Sequence, residues 1–340
     1  MTGRNGRVTI SAIAAEAGVS VPTVSRVLNG RADVAPDTRA RVEELLRLRG
    51  YRRRTSRSVQ RARLIDLVFP DLDSPWAVEI LRGVEDVAHG AGFGTVVSAT
   101  HRRAEPARQW LRNLRARASD GVILVTSTLE SPLLAELRRH DVPLVAVDPA
   151  GGPTLDAPTI GATNWAGGLA AMEHVLALGH RRIGIIAGPP DVLSSRARLD
   201  GYRAALASAG LNPQDVPVRQ GDFSHQSGFD SARELLDGGE LLTAIVASSD
   251  QMAFGAYEAI RQHGLRIPDD ISVIGFDDLP EARWSSPPLT TVRQPLAEMG
   301  ALAARTILRL ASGEGVDSPR VELATTLIER ESSAPPPRAA

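Results

Sequence analysis

The side chains able to do chemistry in this chain of 340 residues are arginines, aspartates, histidines and hydroxyls, for it contains neither cysteine nor lysine. Without thiols there are no disulfides, zinc–thiolate sites or cysteine nucleophiles. Without lysine there is no P-loop ammonium, no Schiff base and no Ser–Lys dyad. All 39 basic residues are arginine, and they are unevenly spread: the overall charge of -1 divides into +9 over residues 1–63 and -10 over residues 64–340. A basic head on an acidic body points to nucleic-acid binding by the head. The seven histidines lack metal spacing, since His174 and His180 lie six apart, off a common helix face. The "DLD" at 71–73 has nothing near it in sequence to complete a coordination sphere. "GAGFGT" at 90–95 imitates a dinucleotide loop, but it follows a helical pattern and precedes a strand, the reverse of what pyrophosphate binding needs. No metal, cofactor or catalytic constellation is expected, and the chain does not read as an enzyme.

The elements that position these groups are of two kinds. In the head, Ile10, Ile13, Ala14 and Ala17 recur at helical spacing after Thr9 and stop at Gly18. Gly18 suits a turn, Ser20 can cap a second helix, and Val24, Val27 and Leu28 face back onto the first. A third helix follows from Pro36, with Val42, Leu45 and Leu46 on one side. Three short helices with a glycine turn between the first two make a helix-turn-helix, whose second helix can enter a major groove. Residues 52–63, "RRRTSRSVQRAR", read as an arginine-rich linker.

From Leu64 onward, apolar runs alternate with amphipathic helical stretches: "LIDLVFP", "GTVVSAT", "GVILVTS", "PLVAVD", "RRIGIIAG", "TAIVASS" and "ISVIGFDD". This grammar predicts parallel sheets flanked by helices, with ligands beyond the carboxyl ends of the strands. The tail "SSAPPPRAA" reads as disordered over 333–340. No apolar run approaches the roughly 18 residues of a membrane span, and the first residues lack an export signal, so a cytoplasmic protein is expected.

In order along the chain, "VTISAIAAEAGVSVPTVSRVLNG", "ALGHRRIGIIAGP", "SSDQMAFGAYEAI", "ISVIGFDDLPEA", "PPLTTVRQP" and "LIERESS" resemble the LacI/GalR family of bacterial transcription regulators, from about Val8 to Ser332. The resemblance implies an all-α helix-turn-helix head (8–51), a hinge (52–63) and a two-lobed α/β body like periplasmic binding proteins, for effector binding and dimerisation (64–332). In that body, lobe one would span about 64–162 and 291–318, and lobe two 163–290 and 319–332. It further implies a homodimer on double-stranded operator DNA, released or retained by a small effector, a mono- or oligosaccharide, in the cleft between lobes.

By the same resemblance, Val21, Pro22 and Arg26 touch base edges, and a guanidinium suits the two acceptors of guanine. Thr9, Ser20, Thr23, Ser25, Asn29 and Thr38 are hydroxyls or an amide suited to phosphates; Thr9 and Ser20 are expected both to cap their helices and to meet phosphate, since a helix N-terminus is itself a phosphate site. Effector contacts fall on Trp76, Asp148, Ser194, Arg198, Phe223, Asp250, Asp277 and Gln294. Trp76 could stack on a pyranose or simply pack the start of its helix, and Asp250 could be an N-cap. The hinge departs from the family: Tyr51 is followed by arginines where a Pro-Asn pair and a wedging Leu are usual. Arg54 and Arg57 are therefore expected to hold DNA by charge rather than by wedging. A solute-binding or sugar-modifying protein of similar fold is the alternative, but neither accounts for the basic head.

Overall fold

The computed structural model describes residues 10–28, 34–49, 62–101, 104–125, 137, 142–149, 157–239 and 241–337. Residues 1–60 and 61–340 form two separate compact units.

The small unit holds three helices, α1 (Ile10–Ala17), α2 (Val21–Leu28) and α3 (Pro36–Leu48). Ile13, Ala14, Ala17, Val24, Val27, Val34 and Val42 close a miniature core among them. Gly18, at φ +65°, makes the turn that a side chain would strain. Ser20 then caps α2, its hydroxyl accepting from the backbone N–H of Thr23 at 3.3 Å. The Arg49 guanidinium meets Glu16 at 2.6 Å and fastens the end of α3 to α1.

The large unit contains two six-stranded sheets. The first is built from β1 (Leu64–Phe69), β2 (Gly94–Ala99), β3 (Gly121–Val125), β4 (Leu144–Val147), β5 (Thr159–Ala162) and β11 (Arg320–Leu323), in the order β11-β5-β4-β3-β1-β2. All its pairings are parallel. The second comprises β6 (Ile183–Ala187), β7 (Val218–Gln220), β8 (Ala244–Ala247), β9 (Ser272–Asp277), β10 (Thr290–Arg293) and β12 (Thr326–Ile328), in the order β12-β10-β9-β8-β6-β7. Only β12 runs antiparallel there.

Alternation along each strand feeds two cores per sheet. Ile65, Leu67 and Phe69 pack under α4 (Pro75–Gly90) and a long helix at Leu296–Ala311, while Val68 faces Trp110 and Leu114 of α5 (Ala104–Arg117). In the second sheet, Ile274 and Phe276 lie under α6 (Asn164–Ala177) and α7 (Leu193–Ser208), and Ile245 and Val273 lie on the side of α8 (His225–Asp237) and α9 (Asp250–Gln262). The helix at Leu296–Ala311 is α10.

Two expectations are corrected. The sequence reading assigned 291–318 to lobe one and 319–332 to lobe two. Instead β10 pairs with β9, β11 with β5 and β12 with β10, so the chain passes between sheets at 163, at 294–295 and at 324–325. Strands this short have no pattern of their own to declare a sheet; only their partners decide. The tail is the second correction. Ser332 donates to the Val273 carbonyl at 2.6 Å and accepts from the Thr290 N–H at 2.8 Å. Ser333 bonds His174 Nε2 at 3.0 Å, and the Ala334 carbonyl bonds His180 Nε2 at 2.8 Å. Residues 333–337 are thus ordered by sheet and helix groups that composition does not reveal.

Because Ser332 is wholly buried and holds two backbone groups of different strands, Ser332→Ala should destabilise the protein by about 1–3 kcal/mol. Urea unfolding followed by circular dichroism measures it; a change within a few tenths of a kcal/mol would show that the tail contributes nothing.

Candidate functional site

At the carboxyl ends of β1, β4, β7 and β9, between the two sheets, a cavity of about 640 Å³ opens. The first-sheet side supplies Trp76 and Asp148; the second supplies Ser194, Arg198, Phe223 and Asp277. Arg198 reaches this place because α6 and α7 pack closely: a methyl group at Gly168 would collide with the Arg198 backbone. Its Nε donates to Asn164 Oδ1 at 2.8 Å and its Nη1 to the Ser248 carbonyl at 2.6 Å. The guanidinium carbon sits 3.9 Å from the Phe276 ring centre and Nη1 lies 3.7 Å from Asp277 Oδ1. Asp148 accepts from Ser194 Oγ at 3.2 Å, a bond that bridges the two halves. A second bridge runs from Ser74 Oγ to Gln251 Oε1, also at 3.2 Å.

Three cavity residues sit at positive φ although none is glycine: Asp148 at +46°, Phe223 at +72° and Asp277 at +126°. Such backbone costs on the order of 1–3 kcal/mol each and persists where the surroundings over-determine it, as at ligand sites. The ring of Phe223 lies against Gly188, where any Cβ would strike it.

Of the eight residues assigned to the effector from sequence, six line this cavity. Asp250 does not: it is completely buried, its carboxylate accepting from the Leu279 N–H at 2.8 Å and Thr291 Oγ1 at 2.5 Å. Nor does it cap α9, since Ser249 does that, accepting from Met252 N–H. Gln294 is buried at a crossing between sheets and donates to Asp277 Oδ1 at 2.7 Å, one step removed from the cavity. Trp76 meets both alternatives, lining the cavity while packing on the first core. Sequence reasoning missed Asp73, Asp222 and Gln251 in the lining. Each follows a strand or opens a helix at a strand end, so the same strand-end rule applied to every connection finds them.

On the head, α2 exposes Val21, Pro22 and Arg26, half-buries Thr23 and Ser25, and turns Val24 and Val27 inward. Ser20 is exposed at its start, and Thr38 is half-buried in the first turn of α3. Thr9, Asn29, Arg54 and Arg57 lie outside the described residues.

Residues 9–54 match the model of bacterial regulatory proteins of the lacI family, and residues 172–333 match a periplasmic binding protein-like domain. The chain is 36% identical to the HTH-type transcriptional regulator CelR of Thermobifida fusca, over 97% of this chain and 99% of that one. It belongs to the LacI family. Two solved structures share the architecture. The CelR–cellobiose complex has a TM-score of 0.74 at 34% identity, covering 96% of this chain and 100% of that one. The lac repressor dimer bound to operator and an anti-inducer has a TM-score of 0.71 at 31% identity, covering 96% and 99%. This LacI-family chain is accordingly a DNA-binding regulator of transcription rather than an enzyme. No helix among its described residues is long and apolar enough to cross a membrane.

In this LacI-family body two of the cavity carboxyls, Asp148 and Asp277, are held out of water. Burial pushes Asp148 up, against the charge of Arg198 and the Ser194 hydroxyl that pull it down. Burial likewise pushes Asp277 up to about 6, opposed by Arg198 and the Gln294 amide and reinforced by Asp148. Asp250 is driven well above the carboxylate range by burial and then by the charge of Asp277.

A carboxyl raised on folding contributes stability below its unfolded pKa and loses it as pH climbs through its folded value, here about 6. The stability of Asp277→Asn relative to wild type should therefore rise by about 2–3 kcal/mol between about pH 4 and about pH 7.5, on top of whatever constant offset the substitution carries. The comparison with wild type cancels His174 and His180, whose values are lowered by burial and act in the opposite sense. Denaturant unfolding at the two pH values is the measurement; a stability difference independent of pH would refute the assignment.

Proposed function

We propose that this protein is a transcriptional repressor whose hold on operator DNA is set by a mono- or oligosaccharide bound between the two sheets of its body. One observation carries the reading: a buried guanidinium, Arg198, and two buried carboxylates, Asp148 and Asp277, share a cavity with the rings of Trp76 and Phe223. Each vicinal hydroxyl of a sugar can donate to an aspartate and accept from an arginine. The Nη2 of Arg198 has no hydrogen bond within the described residues and serves such a hydroxyl. Aromatic faces suit the apolar faces of a sugar ring. The volume is of the size that small-ligand sites use. That CelR is solved in complex with cellobiose supports a sugar as the ligand.

In this reading residues 8–51 are the DNA-binding domain, 52–63 the hinge, and 64–332 the effector-binding and dimerisation domain. Val21, Pro22 and Arg26 read bases, while Ser20, Thr23, Ser25, Thr38, Thr9 and Asn29 hold phosphates, with Arg54 and Arg57 adding charge along the hinge. The protein works in the cytoplasm as a homodimer, because one head covers too few bases and phosphates for specific affinity. The lac repressor dimer on its operator supports that arrangement. The bridges Ser194–Asp148 and Ser74–Gln251 join the two halves of the body. A ligand between them shifts whatever equilibrium differs in those contacts.

Two variants test the two ends of the molecule. Arg26→Ala should weaken the best operator by about 1–3 kcal/mol and relax the preference at one base pair in each half-site. Uniform weakening over all sequences in a gel-shift assay would make Arg26 a phosphate contact. Arg198→Ala should keep operator affinity while losing the thermal shift given by mono- and disaccharides, since a ligand of the folded state raises its midpoint by mass action. An undiminished shift would remove Arg198 from the effector site.

A further inference from the structure

Among the described residues the cavity lining is electrostatically one-sided. Five aspartates line it among the described residues: Asp71 and Asp73 after β1, Asp148 after β4, Asp222 after β7, and Asp277 at the end of β9. They stand on both sheets, so a ligand between the sheets meets carboxylates from both directions. Arg198 is the one arginine in that lining among the described residues, and its Nε and Nη1 are committed to Asn164, the Ser248 carbonyl and Asp277, which leaves Nη2 for a ligand. Among the described residues, the remaining basic side chains at the cavity are imidazoles. His225 lines the cavity, and His101 lies 3.7 Å from Asp71. Asp222 is fixed in its charged form by the hydroxyls of Ser224 and Ser227, which hold its carboxyl below the usual range.

Resting on the reading of this cavity as a sugar site, we infer that the effector carries no anionic group: the site takes an uncharged or amine-bearing sugar and rejects sugar phosphates, aldonates and uronates. A cleft lined by one sign of charge and walled by low-dielectric protein focuses its field instead of dissipating it into solvent. A phosphate or carboxylate placed there finds one guanidinium, through its Nη2, and shares that single cation with Asp277 while facing the remaining carboxylates. A hydroxyl has no such cost, because it donates to a carboxylate and accepts from the guanidinium at once. A protonated amine gains from the same field that repels the anion, and turns a hydrogen bond charged on one side only into an ion pair.

The experiment uses the full-length protein. A panel of neutral mono- and disaccharides is screened by thermal shift, together with glucosamine, glucose 6-phosphate, glucuronate and gluconate. The best neutral sugar is then compared by calorimetry with its own amino, phosphorylated and uronic analogues. The amino analogue should bind at least as tightly as the neutral sugar and the anionic ones about tenfold or more weaker, a penalty that shrinks as salt is added. In Asp73→Asn combined with Asp222→Asn, the ratio of neutral to anionic affinity should fall about threefold or more. An anionic analogue that binds as well as its neutral parent, or a ratio untouched by the double substitution, overturns the inference and leaves the sugar site standing. No response to any sugar, whatever its charge, overturns the sugar site and this inference with it.

Discussion

A guanidinium cannot shed its proton inside a protein, so the burial of Arg198 dictates much of what surrounds it. The Nε needs Asn164, which sits where the chain first crosses between the sheets; Nη1 needs the carbonyl of Ser248 at the end of β8; the flat face needs Phe276 on β9. Asp277 supplies the countercharge and is itself held by Gln294, at the second crossing. Breaking such a buried pair by removing one member leaves an uncompensated charge, which is far more costly than the pair is worth. One side chain of α7 therefore ties together a helix, two strand ends and two of the three passages between the halves of the body.

How much of this was legible in the sequence follows from what each feature depends on. Strands such as Leu64–Phe69 and Ser272–Asp277 announce themselves because burial on both faces demands continuous apolar runs, and the strand-end rule then leads to Asp148, Phe223 and Asp277. Asp250 also follows a strand closely, yet its carboxylate turns inward to Thr291 and Leu279. Depth along the strand axis, which separates a cavity wall from the layer beneath it, leaves no trace in residue spacing. Arg320–Leu323 and Thr326–Ile328 are separated by two residues and belong to different sheets. Nothing local distinguishes them, because membership is decided by β5 and β10, both distant in the chain.

The tail and the backbone strain were illegible for different reasons. Ser332, Ser333 and Ala334 sit in a stretch whose composition is that of a coil, and their order comes from hydroxyls and imidazoles contributed by Ser272, Thr290, His174 and His180. Positive φ at Asp148, Phe223 and Asp277 runs against local preference altogether. A propensity argument predicts the relaxed conformation, and departures of this kind gather where packing has been set against preference to aim a side chain.

The first and third crossings are stitched to each other: Thr163 Oγ1 accepts from the Thr325 N–H at 2.9 Å, and Thr325 Oγ1 donates to the Thr163 carbonyl at 3.2 Å. Mechanically this turns two separate cords into a single short plate. Two independent cords would let the halves of the body slide past each other; a plate resists sliding and twisting and yields mainly to folding about its own line. The stitch therefore favours folding about that line, the motion that widens or narrows the space between the sheets.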